Sequence, residues 1–216
     1  MMANVFHQHL DDLNELLVDM ARRAGEAMEK AGSALLEDDA AAAEAVVAAD
    51  QEINALQFQV DDRIVALMTR YEPVASDLRF ILGAVRIAMD LERMGDLAEH
   101  VAKTVVMRSP VPVVPEPLRG DFAVMARAAV RISEKLVSIL TDRDRLQAAQ
   151  MSLDDDELDA VQRRIHEQLP DFGYGPQAAV DAALLSRFFE RFGDHAVRVS
   201  HQVVYLVTGD VHLDRS

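Results

Sequence analysis

The sequence E-R-M-G-D at residues 92–96 returns as E-R-F-G-D at residues 190–194, and this repetition decides how the chain is organised. A second echo lies upstream, where Met-Ala-Arg at 20–22 recurs at 125–127. The two offsets, 98 and 105 residues, differ by seven. The chain is therefore one unit of roughly 100 residues used twice, with seven residues lost inside the second copy.

In the first half, apolar residues recur at three- and four-residue steps, the spacing of amphipathic helices. The pattern predicts a first helix up to an acidic break at 37–39. A second helix should end at Tyr71-Glu72-Pro73, since proline disfavours a helical residue before it and cannot continue the hydrogen-bond ladder. Ser76 is the expected N-cap of a third helix that runs to about Met107.

The second half repeats this plan after a segment with four prolines, residues 110–117. We predict helices over about 121–141 and 144–169, then a turn at 173–176 and a last helix to Thr208. The expected fold is all-α: two tandem three-helix bundles related by internal duplication, with six long antiparallel helices. The corresponding division is a first repeat at 1–108, a proline-rich linker at 109–119 and a second repeat at 120–216.

The amino-acid composition excludes several classes of function and of metal site. The net charge of −15 argues against a nucleic-acid or anionic-membrane surface, because both require clustered Lys and Arg. The absence of cysteine excludes thiolate metal sites, so any metal must use carboxylate, imidazole or water, which favours harder ions. We find no signal-peptide pattern and no apolar run long enough to span a bilayer, and expect a soluble cytoplasmic protein.

The repeated motif places Glu92 and Asp96 four residues apart on one face of a helix. Like charges at this spacing repel, so the pair does not stabilise a purely structural helix. A site that binds a cation, in contrast, is favoured by two acids on one face. Counting equally far from the turn at Pro73 brings Asp50 and Asn54, another polar pair spaced by four, to the same height on the preceding helix.

The second half shows the same arrangement. Glu190 and Asp194 lie level with Asp155 and Asp159 when the helices are folded back at the glycine turn near 174. One such pair in an acidic protein is ordinarily a solvated face, but four level pairs in two repeats favour a metal or other cation. The predicted metal ligands are Asp50, Asn54, Glu92 and Asp96 in one site and Asp155, Asp159, Glu190 and Asp194 in the other.

The carboxylates continue an apolar stripe, since Leu82 and Met89 precede Asp96 at seven-residue steps. We therefore expect them to face neighbouring helices, with raised pKa values unless a cation neutralises them. Glycines at 95 and 193 cost about 1 kcal/mol each within a helix, and so predict the close approach of a partner helix or ligand.

Other residues near the motifs have weaker claims. Arg93 and Arg191 should pair with acids on another helix. His100, four residues after Asp96, is either an additional ligand or a surface histidine, while His195 should point elsewhere. A di-iron carboxylate bundle would need a Glu-x-x-His motif, which the chain lacks, so a ferritin-like oxidase is not expected.

At these residues the chain resembles the PhoU family of phosphate-signalling regulators. The segment at 73–79 resembles the family's turn into its third helix. The segments at 90–100 and 189–196 resemble the two copies of its signature, and those at 50–54 and 155–159 resemble the facing motifs. The resemblance covers essentially the whole chain. The signature usually continues to an Asn four residues beyond the Asp, where this chain has His100 and Arg198.

The resemblance implies metal clusters at the carboxylate pairs, with iron, zinc or magnesium as the expected ions and His100 and Arg198 as additional neighbours. It also implies a cytoplasmic, non-enzymatic regulator that links the ATPase subunit of a phosphate ABC transporter to a sensor histidine kinase. Such a protein represses phosphate-starvation genes when phosphate is plentiful and reaches the membrane only through its partners. A homodimer is one assembly to test.

Two alternatives stay open at this point. A carboxylate-bridged metalloenzyme acting on phosphate esters would need an open coordination position and a general base, and no residue is an evident base. A metal-free helical adaptor would carry the same acidic faces merely solvated.

Overall fold

The computed structural model describes residues 2–169 and 173–209, and within them all regular structure is helical. The helices are α1 (Met2–Glu37), α2 (Ala40–Arg70), α3 (Ala75–Arg108), α4 (Glu116–Asp142), the short α5 (Arg145–Ala149), α6 (Met151–Gln168) and α7 (Pro176–Thr208). The predicted all-α architecture is confirmed. Of the predicted second repeat, residues 170–172 and 210–216 lie outside the described part of the chain.

The helix ends in the first half follow local chemistry. Asp38 has a positive φ of 54°, and the Asp39 carboxylate caps α2 by accepting hydrogen bonds from the amides of Ala41 and Ala42, at 3.0 Å each. The predicted cap at Ser76 is wrong. Val74, directly after the proline, takes the extended backbone of an N-cap, so α3 begins at Ala75 and Ser76 lies in its first turn.

In the second half, α4 begins at Glu116, five residues before the predicted start. Pro117 lies in its first turn, where a missing amide hydrogen costs nothing. The helix predicted at 144–169 is interrupted at Gln150, which separates α5 from α6. Asp144 caps α5 through the Leu146 amide at 2.8 Å. The predicted end of the last helix at Thr208 is confirmed, and Gly209 caps it with a left-handed φ of 79°.

The two halves share one continuous apolar core. α1 packs against α2 and α3 of its own half and also against α4, while α7 packs against both α6 and α3. Small residues allow α1 and α4 to approach closely, since a Cβ added at Gly25 would lie 2.7 Å from the Cβ of Ser133. The aromatic rings of Phe122 and Phe189 then meet with centroids 6.4 Å apart in the centre.

Ion pairs join the helix ends of the two halves. The Arg108 guanidinium, in the last turn of α3, donates to both carboxylate oxygens of the buried Asp181 in α7, at 2.7 and 2.9 Å. Arg119 of α4 donates to Asp38 at 3.1 Å and also to the carbonyl of Leu36. The Arg108–Asp181 pair fixes α3 alongside α7, the two helices that carry the repeated motif, and the Arg119 contacts fix α4 at the turn between α1 and α2.

Candidate metal centres

The first predicted cluster lies between α2 and α3. A Cβ at Gly95 would lie 2.8 Å from Ile53 Cδ1 and 3.5 Å from Asp50 Oδ1, so Asp50 approaches the backbone of α3 at the motif. The Asn54 amide donates to Asp50 Oδ2 at 2.8 Å. The close approach predicted for the glycine is therefore present in the structure.

Burial and mutual repulsion raise the pKa values of this cluster. The pKa of Asp50 is raised first by burial, then by the negative charges of Glu99 and Asp96. Burial also raises the pKa of Glu92, with Asp96 adding to the effect and Arg93 opposing it. The groups that affect one another in this way include three of the four predicted ligands.

The second cluster, between α6 and α7, is more deeply buried. Asp155 is 8% exposed and Glu190 is 7% exposed, while Asp159 and Asp194 are partly buried. A Cβ at Gly193 would overlap the Asp155 carboxylate, so this acid lies directly against the backbone of α7.

Asp155 is the most perturbed acid of the second cluster. Burial, together with the charges of Asp159, Asp194 and Glu190, raises its pKa to about 7. Burial raises the pKa of Glu190 as well, with Asp194 as the next cause. All four predicted residues of this half therefore act on one another electrostatically.

Two buried oxygens in the second cluster have no hydrogen-bond partner: Asp155 Oδ1 and Glu190 Oε2. Burying an acceptor without a partner is costly, so each lacks a donor or a cation that would satisfy it. Among the described residues, no group of three His, Asp or Glu side chains converges closely enough to hold an ion as the side chains stand. The oxygen donors are thus gathered but not assembled around one point.

Arg93 pairs within its own helix, contrary to the prediction that it would pair with an acid on another helix. Arg93 donates to Asp96 Oδ2 at 2.8 Å and lies 3.6 Å from Glu92 Oε2, because residues three apart share a helix face. In the second repeat Glu190 pairs with Arg187, again three residues away. Arg191 is exposed.

The two additional candidates lie outside the carboxylate pairs. The exposed His100 stacks its ring on Phe188 of α7, with centroids 5.3 Å apart and an interplanar angle of 24°. Arg198 is exposed. The buried His195 points away from its neighbour Asp194, as expected, and its Nδ1 lies 2.8 Å from Asp90 Oδ1. These contacts bring α3 and α7 together antiparallel between the two clusters.

Glu99 also belongs to the first cluster, although it is not among the predicted ligands. Its charge is the leading electrostatic cause of the raised Asp50 pKa, and it pairs with Lys103 at 2.6 Å. Glu99 lies seven residues after Glu92, so the stripe that identified the motif extends to it. With Glu99 the first cluster has four carboxylates, although Asn54 is not one of them. The equivalent position in the second repeat is Val197, which has no carboxylate.

One expectation about the stripe is wrong. Leu82 and Met89, which precede Asp96 at seven-residue steps, are exposed rather than covered by a neighbouring helix. The carboxylates lie in the groove between α2 and α3, where they are about four-fifths buried, but the stripe before them faces outward. Seven-residue spacing fixes which residues share a face, and cannot determine whether another helix covers it.

The sequence profile of the PhoU domain matches residues 17–105 and again residues 122–203. The chain belongs to the PhoU family. Each match contains one carboxylate cluster, so the internal duplication coincides with two copies of the PhoU domain.

Two curated relatives match over almost their whole length. The phosphate-specific transport system accessory protein PhoU homolog 1 of Mycobacterium tuberculosis is 42% identical over 210 residues, 96% of this chain and 95% of the relative. PhoU homolog 2 of the same organism is 40% identical over 210 residues, covering 96% and 99%. These are names of accessory proteins, not of enzymes, in agreement with the predicted class.

Solved PhoU structures have the same fold. The crystal structure of PhoU from Pseudomonas aeruginosa matches with a TM-score of 0.84 and 24% identity, covering 95% of this chain and all of that one. The regulatory protein PhoU from Streptococcus pneumoniae matches with a TM-score of 0.83, also at 24% identity, covering 95% and 98%. No described helix is both long and apolar enough to cross a membrane.

Proposed function

We propose that this protein is a non-enzymatic regulator of phosphate uptake and of the phosphate-starvation response. PhoU relatives at 42% and 40% identity, named as accessory proteins of phosphate-specific transport, support this proposal over nearly the full chain. Its partners would be the ATPase subunit of a phosphate ABC transporter and a sensor histidine kinase, both reached from the cytoplasm. Binding would repress the starvation response when phosphate is plentiful.

The observation that carries the regulatory site is the pair of carboxylate clusters on either side of the α3–α7 contact. We propose that each cluster binds a hard cation such as iron, zinc or magnesium. Carboxylate oxygens suit such ions, and the partnerless buried oxygens of Asp155 and Glu190 support a cation in the second cluster. The proposed ligands are Asp50, Asn54, Glu92 and Asp96, with Glu99 added, and Asp155, Asp159, Glu190 and Asp194.

A bound cation would supply positive charge, and the residues that hold it would link it to two different helices. Asp155 comes from α6 and lies against α7 at Gly193, so a cation that held Asp155 together with Glu190 would tie the two helices. Neutralising the second cluster would also let Asp155 stay ionised at neutral pH, where its raised pKa otherwise favours a proton. Metal occupancy would thereby stiffen each hairpin that a partner meets.

The test is a pull-down from cytoplasm and solubilised membrane of the source organism, with tagged protein expressed in phosphate-rich and phosphate-poor cells. We expect recovery of the transporter ATPase, the sensor kinase or both, with recovery dependent on phosphate. Recovery of neither partner under both conditions would contradict the regulator proposal. Turnover of a generic phosphate ester that is lost on Glu92→Ala with Asp96→Ala would replace it with a metalloenzyme.

A further inference from the structure

The second sequence echo, Met-Ala-Arg at 20–22 and 125–127, lies on α1 and α4, the two helices that the carboxylate clusters do not use. α1 packs on α3 and on α4, and α7 also packs on α3 and on α4, so the four helices form a ring. In this ring the α1–α4 contact lies on the opposite side from the α3–α7 contact. The echo therefore marks a second surface at the junction of the two halves.

A groove runs along this surface between α1 and α4, and we call it the α1–α4 groove. One hollow of about 340 Å³ reaches from Ala21 to Glu29 on α1, and a second of about 500 Å³ reaches from Asp11 to Arg22. Because Arg22 lines both hollows, they are continuous. At 1.5 Å per residue, the stretch of α1 from Asp11 to Glu29 is about 27 Å long, which matches a helix of about five turns.

The floor of the α1–α4 groove is apolar. The close contact of Gly25 with Ser133 brings the two helices together, and both residues line the groove. Beside this contact lie three valines that are only half-buried, Val18 of α1 and Val130 and Val137 of α4. An apolar side chain laid on them would remove the rest of their surface from water, which is favourable.

The rim of the α1–α4 groove is acidic. Five acids line it but only two arginines, and both arginines are already paired. The Arg22 guanidinium lies 3.5 Å from the Asp19 carboxylate, and that of Arg143 lies 3.6 Å from the Asp11 carboxylate. In the described part of the chain, three exposed acids of the rim make no hydrogen bond or ion pair: Glu15, Glu29 and Glu134. The groove therefore keeps a net negative charge.

The internal duplication places one unpaired acid on each wall of the groove. Glu29 and Glu134 are 105 residues apart, which is the offset of the Met-Ala-Arg echo, so they occupy equivalent positions in the two repeats. Glu29 is four residues after Gly25 on α1, Glu134 directly follows Ser133 on α4, and both acids line the same hollow. An occupant that lies between the walls therefore meets a carboxylate on either side.

We propose that the α1–α4 groove binds a cationic amphipathic helix of a partner protein. The apolar face of this helix would lie on the three valines, and its Lys or Arg side chains would meet the acids of the rim. An extended segment fits less well, because the backbone groups of both walls are bonded within their own helices and offer no edge to pair with. A helix satisfies its own backbone and can pack across two helices.

Charge distinguishes this occupant from three others. A single metal ion does not suit the rim, because no three acids of the described residues converge closely enough to hold one. An anionic membrane surface would be repelled by the acidic rim. A second copy of this chain, which has a formal net charge of −15, would add negative charge to negative charge. A cationic helix is attracted, whether or not the protein regulates phosphate uptake.

Binding of a synthetic helix tests the proposal. The probe is a fluorescent peptide of about 18 residues, with leucine and alanine on one face of the helix and lysine on the other. Fluorescence anisotropy measures its Kd for full-length wild type, for Glu29→Lys with Glu134→Lys, and for Glu72→Lys with Glu167→Lys. The last two changes are the control, since they alter exposed acids that do not line the groove and change the net charge equally.

We expect the wild type to bind the peptide, the groove variant to raise the Kd about tenfold or more, and the control variant to stay within about twofold of wild type. A second peptide of the same composition, with its leucines spread round the helix, should bind wild type about tenfold or more weakly, because it has no apolar face to lay on the valines. Circular dichroism verifies that both protein variants keep their helical content.

No binding to wild type, or equal changes of Kd in the groove and control variants, would overturn the proposal. Equal binding of the two peptides would overturn it as well, because attraction to net charge alone needs no apolar face. A change in the solution mass of the groove variant, measured by sedimentation equilibrium, would assign the groove to a second copy instead. The assay contains no phosphate and no transport partner, so its failure is separate from failure of the proposed regulatory function.

Discussion

At the scale of single residues, the second cluster depends on the absence of a side chain at Gly193. A methyl group there would overlap the Asp155 carboxylate and come within 2.8 Å of Leu158 Cδ1. A glycine within a helix lowers its stability, but only a residue without a side chain lets the Asp155 carboxylate lie against the helix backbone here. The same logic holds less strictly at Gly95, where the close atom is the mobile end of Ile53.

We therefore expect Gly193→Ala to lower the free energy of unfolding by about 1–3 kcal/mol, as overpacked sites do. Gly120, within α4, has nothing within 4 Å of its Cβ position, so Gly120→Ala should raise stability by about 0.5–1 kcal/mol. Urea denaturation of the two variants measures both effects. Equal effects of the two changes would show that the contact with Asp155 carries no weight.

The raised pKa of Asp155 predicts how the stability of the metal-free protein depends on pH. A carboxyl group whose pKa rises on folding holds its proton more tightly in the folded state. Its contribution to stability is therefore lost as the pH rises from its ordinary value of 3.8 towards about 7. Raised pKa values of Asp50, Glu92 and Glu190 act in the same direction.

With EDTA present, the melting temperature should thus fall between about pH 4 and pH 7 and level off above that. Asp155→Asn should melt higher than wild type at pH 8 and show a smaller fall, because the buried charge is gone. Glu167→Gln, which alters an exposed acid on the same helix that is not among the charges acting on Asp155, is the control and should keep the wild-type slope. A wild-type melting temperature that rises over this range would contradict the assignment.

At the scale of helices, the sequence predicts more of the fold than of the site. Period and proline positions locate the six long helices, and counting from the turns finds which acidic pairs are level, because antiparallel hairpins keep register. The caps are less predictable. Val74 takes the N-cap position from Ser76 since the backbone after Pro73 is already extended, and Gln150 interrupts a helix whose periodicity is continuous.

The sequence pattern of one helix also does not show which neighbouring element covers each of its faces. The exposure of Met89 and the burial of His195 depend on which neighbouring helices lie over these positions, and periodicity within one helix does not encode this. Glu99 was predictable, because it continues the stripe of Glu92, but its effect on Asp50 requires the facing helix. Pairing of Arg93 within its own helix follows from three-residue spacing, which the sequence does contain.

The helix ends give a prediction about how the halves are joined. Removing one partner of a buried ion pair leaves an uncompensated charge, whereas exposed pairs contribute little. Arg108→Met would leave the buried Asp181 carboxylate, between α3 and α7, without its ion-pair partner, so it should clearly lower the melting temperature. Arg131→Met, which breaks an exposed pair with Glu157, should change it little. Thermal melts of both variants measure these effects. Equal shifts in melting temperature would contradict the conclusion that the Arg108–Asp181 pair holds α3 to α7.

At the scale of the whole molecule, duplication gives two sites that are related but unequal. The second cluster has four carboxylates from facing pairs and the deepest burial, while the first has Asn54 in one position and Glu99 nearby. Because both flank the shared α3–α7 contact, a change at either cluster bears on the same pair of helices.

Metal stoichiometry shows whether the paired carboxylates bind cations. Wild type, Glu92→Ala with Asp96→Ala, and Glu190→Ala with Asp194→Ala are equilibrated with iron, zinc or magnesium, dialysed, and analysed by mass spectrometry of the metal. Glu26→Ala with Glu29→Ala, an exposed acidic pair on α1, is the matched control. Circular dichroism verifies that helicity is kept.

We predict that each motif variant loses the metal of its own half and retains the metal of the other, while the control binds as wild type does. Metal content that is unchanged in both motif variants, with the fold intact, would contradict it.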